Sequence, residues 1–106
     1  MLVEKQNPVR DYGLTYLVGT GYTTAEMNAI QDAVVSLVGK NEGKILETQD
    51  WGKKELAYPI AKDGHTYTEA VYTHVILQLP ASRVRELTRS IELKREVLRS
   101  LVVVKA

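Results

Sequence analysis

Apolar and polar positions alternate from Tyr12 to Val18. Tyr12, Leu14, Tyr16 and Val18 fall on one side and Thr15 on the other. A period of two predicts a half-buried strand. Gly19-Thr20-Gly21 breaks it. The period then lengthens. Met27, Ile30, Val34, Leu37 and Val38 recur at helical spacing and form one apolar stripe. Thr23 and Glu26 stand at capping-box spacing ahead of that stripe. Gly39 and Asn41-Glu42-Gly43 stop the helix. Lys44 to Tyr58 reads as a long second strand, with a bulge or close backbone approach expected at Trp51-Gly52. Ala61-Lys62-Asp63-Gly64 signals a turn. Val71 to Leu79 is a third strand, stopped by Pro80. Ser82 is the expected N-cap of a second helix, with Val84, Leu87 and Ile91 inward and Arg83, Arg85, Glu86 and Arg89 facing elsewhere. Val97 to Val104 is the last strand.

The order β-α-β-β-α-β predicts an α+β, ferredoxin-like domain. Its four-stranded antiparallel sheet carries both helices on one face and leaves the other face without a helical cover. Pro59 cannot donate to a ladder, so the Lys44–Tyr58 strand belongs at one edge and Val97–Val104 at the other. Leu56 is expected in the core, and Trp51 partly covered against the sheet edge. Gly64 to Val71 should lengthen the hairpin, because Thr66, Tyr67, Thr68 and Val71 are strand formers and Asp63-Gly64 suits a tight turn. Residues 1–9 are polar, end near Pro8 and read as a flexible extension. Residues 10–106 form the single domain.

Composition narrows the function. A chain of 106 residues, 44% hydrophobic and 25% charged, suits one core. It has no Cys, which excludes a disulfide framework, a thiol nucleophile and thiolate zinc sites. No apolar run approaches the roughly 18 residues of a membrane span. The opening MLVEKQNPVRD lacks the apolar block of a signal peptide, so a cytoplasmic location is expected. Net charge is only +1, but it is unevenly placed. Residues 80–106 carry a net +4 and residues 1–79 a net −3. Such a field suits a polyanion or a structured partner on one side, or a merely solvated basic helix face.

Catalytic chemistry finds little support. His65 and His74 have no zincin spacing and read as structural residues; neither HExxH nor GxSxG occurs. No catalytic residue, metal ligand, cofactor or small-molecule substrate is expected. Gly19-Thr20-Gly21 before a helix hints at an anion site, but a strand-to-helix turn needs glycines anyway. Lys53 and Lys54 are adjacent and point to opposite faces of a strand unless a bulge re-aims them. They serve either as edge charges that oppose aggregation or, with Trp51 and Tyr58, as an RNA contact.

The run Glu47 to Lys62, ETQDWGKKELAYPIAK, closely resembles the signature of the bacterial small-subunit ribosomal protein S6 family. That signature has a WG or LG pair, two basic positions, then LAYPI and a lysine. The likeness extends over nearly all of residues 10–105. Arg10-Asp11-Tyr12 is similar to the family's opening Arg-x-Tyr, Gly43-Lys44-Ile45 to its entry into the second strand, and Val97 to Val103 to its last strand. The resemblance implies a non-enzymatic constituent of the small ribosomal subunit. It would bind the central domain of small-subunit rRNA as a pair with ribosomal protein S18. Arg10, Tyr12, Trp51, Lys53, Lys54 and Arg99 are the candidate rRNA or partner contacts. The alternative is a stand-alone ferredoxin-like regulatory domain that binds a small ligand or self-associates through its open sheet face. Against the family pattern, residues 1–9 are extra and Gly13 stands where Glu is common. Gly64–Val71 is longer by about four residues in this alignment. The chain also stops at Ala106, without the longer C-terminal tails of the family.

Overall fold

The computed structural model describes residues 9–105; most of the expected N-terminal extension, residues 1–8, lies outside them. The elements are β1 (Val9–Gly19), α1 (Thr24–Lys40), β2 (Lys44–Lys62), β3 (His65–Pro80), α2 (Val84–Glu92) and β4 (Val97–Val104). They form one antiparallel sheet in the order β2-β3-β1-β4, with β2 and β4 at the edges as expected. Val9 already pairs with Pro80, so the strand begins three residues before the alternating pattern does.

The core lies between one sheet face and the two helices. Tyr12, Leu14, Tyr16 and Val18 of β1 meet Val75, Leu77 and Leu79 of β3. Ile30, Val34 and Val38 of α1, Leu87 and Ile91 of α2, and Val97 complete it. Burial pushes the Tyr16 phenol above its usual pKa; Asp50 adds to the rise and a hydrogen bond with Thr73 opposes it.

Local chemistry sets the ends of α1. The Glu26 amide donates to Thr23 Oγ1 at 3.1 Å, and the Thr23 amide donates to Glu26 Oε1 at 2.8 Å, closing the capping box. At the other end the Gly43 and Glu42 amides donate to the Val38 and Gly39 carbonyls at 2.8 and 3.0 Å. That is the Schellman pattern, with Glu42 in the left-handed region.

The second helix starts differently from expectation. Pro80 leads into a 3-10 turn, Ala81–Arg83, and Arg83 holds the N-cap position of α2 without a side-chain cap bond. Ser82 is already part of that 3-10 turn, one residue short of the N-cap position.

The β2–β3 hairpin is longer than its hydrophobic pattern showed. Asp63 and Gly64 both have positive φ, 53° and 81°, as a two-residue type I′ turn requires. The strands resume directly at His65, so Gly64–Val71 does extend the hairpin. The register jumps from Glu55 opposite Glu69 to Ile60 opposite Tyr67. Leu56 to Pro59 therefore stand outside the ladder, which accommodates Pro59 on an edge strand. Leu56 is half-buried, contrary to the expected core position, because it stands in the bulge, outside the paired register.

The hairpin tip is anchored to the body. The Tyr67 ring packs on Gly19, where an added Cβ would sit 2.7 Å from Tyr67 Cε1. Lys62 Nζ donates to the Lys94 carbonyl at 3.1 Å and also to the Val97 carbonyl. The lysine that closes the LAYPI run thus fastens β2 to the α2–β4 connection.

Candidate interface on the open sheet face

The sheet face away from the helices is built from alternate residues of all four strands. On β3 these are Tyr72, His74 and Ile76, between the inward Thr73, Val75 and Leu77. Thr15 lies opposite His74, and Leu101 lies opposite Thr15 on its other side. In the next rows Leu17 pairs with Tyr72 and Arg99, and Gly13 pairs with Ile76 and Val103.

Trp51 reaches this face through a bulge. The register shifts between Asp50 and Gly52, and Gly52 adopts φ +79°, a conformation that L side chains resist. Asp50 Oδ1 accepts the Gly52 amide at 2.9 Å and holds the turn. The extra residue, Trp51, lies flat over His74, with ring centroids 4.6 Å apart and planes 11° from parallel. Its indole Nε1 donates to Gln49 Oε1 at 2.9 Å, and Gln49 Nε2 donates to Glu47 Oε2 at 2.8 Å. The imidazole is held from the other side by a 2.8 Å hydrogen bond between Nδ1 and Thr15 Oγ1. Gly13 leaves room for it, since a Cβ there would sit 3.0 Å from His74 Cε1. Lys54 Nζ lies 5.3 Å from the Trp51 ring centroid and 5.5 Å from that of Tyr72, within cation–π range.

The result is an aromatic and aliphatic patch edged by cations. Trp51 is 42% exposed, Leu101 63% and Val103 47%. Lys54 and Arg99 stand at its sides. Its large apolar side chains are exposed, and among the described residues no helix covers them.

The six expected contact residues divide between the two faces. Trp51, Lys54 and Arg99 share the open face. Arg10 and Lys53 are exposed but pair across from Leu79 and Val71, on the helix side. Lys53 Nζ lies 4.0 Å from Glu69 Oε1, an exposed pair. Tyr12 is 4% exposed and belongs to the core, so the planar face expected of it is not on the surface. His74, Tyr72, Thr15 and Leu101 were not among the expected contacts. The alternation along the third strand was the signal that could have found the first two.

Trp51, on the edge strand β2, is partly covered: one side stacks on the His74 ring of β3 and the rest stays exposed. At the start of α1 the Glu26 amide is engaged by Thr23 Oγ1 and the Thr23 amide by the Glu26 carboxylate, whose negative charge opposes a phosphate. Among the described residues, no three His, Cys, Asp or Glu side chains come together to hold a metal ion, and no helix is long and apolar enough to cross a membrane.

The fold is a ferredoxin-like domain whose second sheet face carries an exposed aromatic patch. The family profile of ribosomal protein S6 matches residues 11–104, and the chain belongs to this family of small-ribosomal-subunit proteins. It is similar to the small ribosomal subunit protein bS6 of Clostridioides difficile, 32% identical over 96 residues, covering 91% of this chain and 99% of the relative. The bS6 protein of Corynebacterium glutamicum is also 32% identical, over 90% of this chain and 96% of the relative. The crystal structure of 30S ribosomal protein S6 from Thermotoga maritima shares the fold, with a TM-score of 0.81 over 92% of this chain and 89% of that one, at 19% identity.

Proposed function

We propose that this protein binds the central domain of small-subunit rRNA jointly with ribosomal protein S18, and binds it poorly alone. It would act in the cytoplasm, on the ribosome, as an architectural component without catalytic chemistry. The observation that carries this reading is the bare sheet face. Its centre of Trp51, His74, Tyr72, Leu17 and Leu101 suits a protein surface, since aromatic side chains are enriched at the cores of interfaces. A net charge of +1 supplies little long-range attraction for a polyanion, and phosphate contacts dominate nucleic-acid affinity. A more basic partner docked on the sheet would supply that field.

The test is a titration of the rRNA central domain with this protein, with S18 and with both, at several salt concentrations. The pair should bind more tightly than either protein alone. If this protein alone binds as tightly as the pair does, the cooperative reading is wrong. Reversal of Lys53 and Lys54 to Glu should weaken complex formation and flatten its salt dependence with little effect on folding, because exposed charge pairs contribute little to stability. Sedimentation of the free protein separates the other use of such a face: a stable dimer would favour self-association.

A further inference from the structure

The cations of this molecule are unequally engaged. Arg83 is held by Glu42 at 2.7 Å and by Glu86 at 3.2 Å. Lys62 is held by two backbone carbonyls. Lys53 has Glu69 nearby, and Lys54 lies over two rings. Arg85 and Arg89 of α2 are among the cations that no carboxylate of the described residues holds, and both are exposed. They stand four apart, one helical turn, so two positive charges sit side by side and oppose the helix that carries them. They line a shallow depression of ≈ 710 Å³ with the hydroxyl residues Ser82 and Thr88 and the carboxylate Glu92. Glu86, the other nearby carboxylate, is taken by Arg83.

Two unpaired guanidinium groups with hydroxyl residues lining the same depression suit a phosphate group. Arginine forks match phosphate oxygens, and Ser and Thr side chains are common donors to a nucleic-acid backbone. The helices cover one sheet face, so the outer side of α2 points away from the aromatic patch. We infer that the outer face of α2, through Arg85 and Arg89, contacts the phosphate backbone of the RNA while the opposite sheet face holds the protein partner. This inference rests on the joint binding proposed above. It divides the two ligands between the two sides of the molecule. The partner can then be bound without displacing RNA, as cooperative binding requires.

The experiment compares the full-length protein with the Arg85→Gln/Arg89→Gln double variant. The probes are a transcribed central-domain fragment of small-subunit rRNA, in the presence of S18, and S18 alone. Each lost phosphate contact should lower the slope of log affinity against log salt by roughly 0.7–0.9, so the double variant should lose about 1.5. Affinity of the pair for RNA should fall about tenfold or more, and affinity for S18 alone should not change. Arg85→Lys/Arg89→Lys keeps the charges and should keep most of the slope. Unaltered affinity and slope in the Gln variant, while the wild-type pair binds RNA, would overturn the inference and leave joint binding standing. A parallel loss of S18 affinity would reassign the face to the protein partner. A wild-type pair that binds no more tightly than its members would overturn the joint binding and this inference with it.

Discussion

Removing the Trp51 ring should weaken binding of the protein partner far more than it weakens the fold. Trp51 retains 42% of its surface in the free protein. A large aromatic side chain buries up to about 250 Å², so roughly 100 Å² remains for a partner to cover. At about 25 cal/mol per Å², that area corresponds to about 2.5 kcal/mol, or roughly 60-fold in Kd. The cost to folding is smaller. Trp51→Ala loses a stacked contact with His74, about 0.5–1.5 kcal/mol, and an exposed hydrogen bond to Gln49. The assay is calorimetric titration of S18 into the wild-type protein and into Trp51→Ala, with urea unfolding as the control. The chain has a single Trp, so emission of the wild-type protein reports this site alone. It should shift to the blue when S18 covers the ring. A change in Kd of less than about threefold, with no spectral shift, would refute the placement of the partner on this face.

Three further outcomes test the fold that holds the site. Lys62→Met should cost about 1–3 kcal/mol in urea unfolding, because it leaves the Lys94 and Val97 carbonyls without their charged donor; a loss under about half a kcal/mol would show that the hairpin tip is not fastened there. Leu56→Ala should cost only about 1 kcal/mol, since the side chain is half-buried, whereas Leu77→Ala in the core should cost about 2–5 kcal/mol; equal losses would contradict the bulge at Leu56–Pro59. Burial raises the folded-state pKa of Tyr16 above the ordinary tyrosine value of about 10, so the neutral phenol's contribution to stability is complete below that pH and is lost as pH rises through the folded-state value. Unfolding titrations from pH 8 to 11.5 should therefore show stability falling at the alkaline end, with a shallower fall in Tyr16→Phe.

The elements of this domain were legible because each carries its own period. The alternation from Tyr12 to Val18, the 3.6-residue stripe from Met27 to Val38 and the Thr23/Glu26 box depend on residues close in the chain. From their order, and from Pro59, came the ferredoxin-like sheet and its edge strands. Local signals also named Trp51-Gly52 as a bulge and Asp63-Gly64 as a turn, since left-handed backbone is restricted to few residue types. The start of α2 was misplaced at Ser82, because a 3-10 turn after Pro80 leaves no mark in a pattern of periods.

What local pattern could not supply was register, and register decides which side chains meet. Leu56 and Trp51 look alike as apolar residues of one strand, yet two bulges in β2 leave one half-buried and turn the other onto the open face. Lys62 reads as a turn residue and becomes a brace to carbonyls more than thirty positions away. His74 reads only as a structural residue of a strand until pairing places it between Thr15 and Trp51, and Gly13 only as a departure from the family pattern until its missing Cβ makes room for that ring. Tyr12 is the converse: its alternation with Leu14 and Tyr16 already set it on the apolar side, and the sheet buries it in the core, away from the contacts expected of it. Secondary structure follows from neighbours in sequence, whose spacing can be read directly. The interface follows from contacts across strands, where a one-residue slip moves every following side chain to the other face.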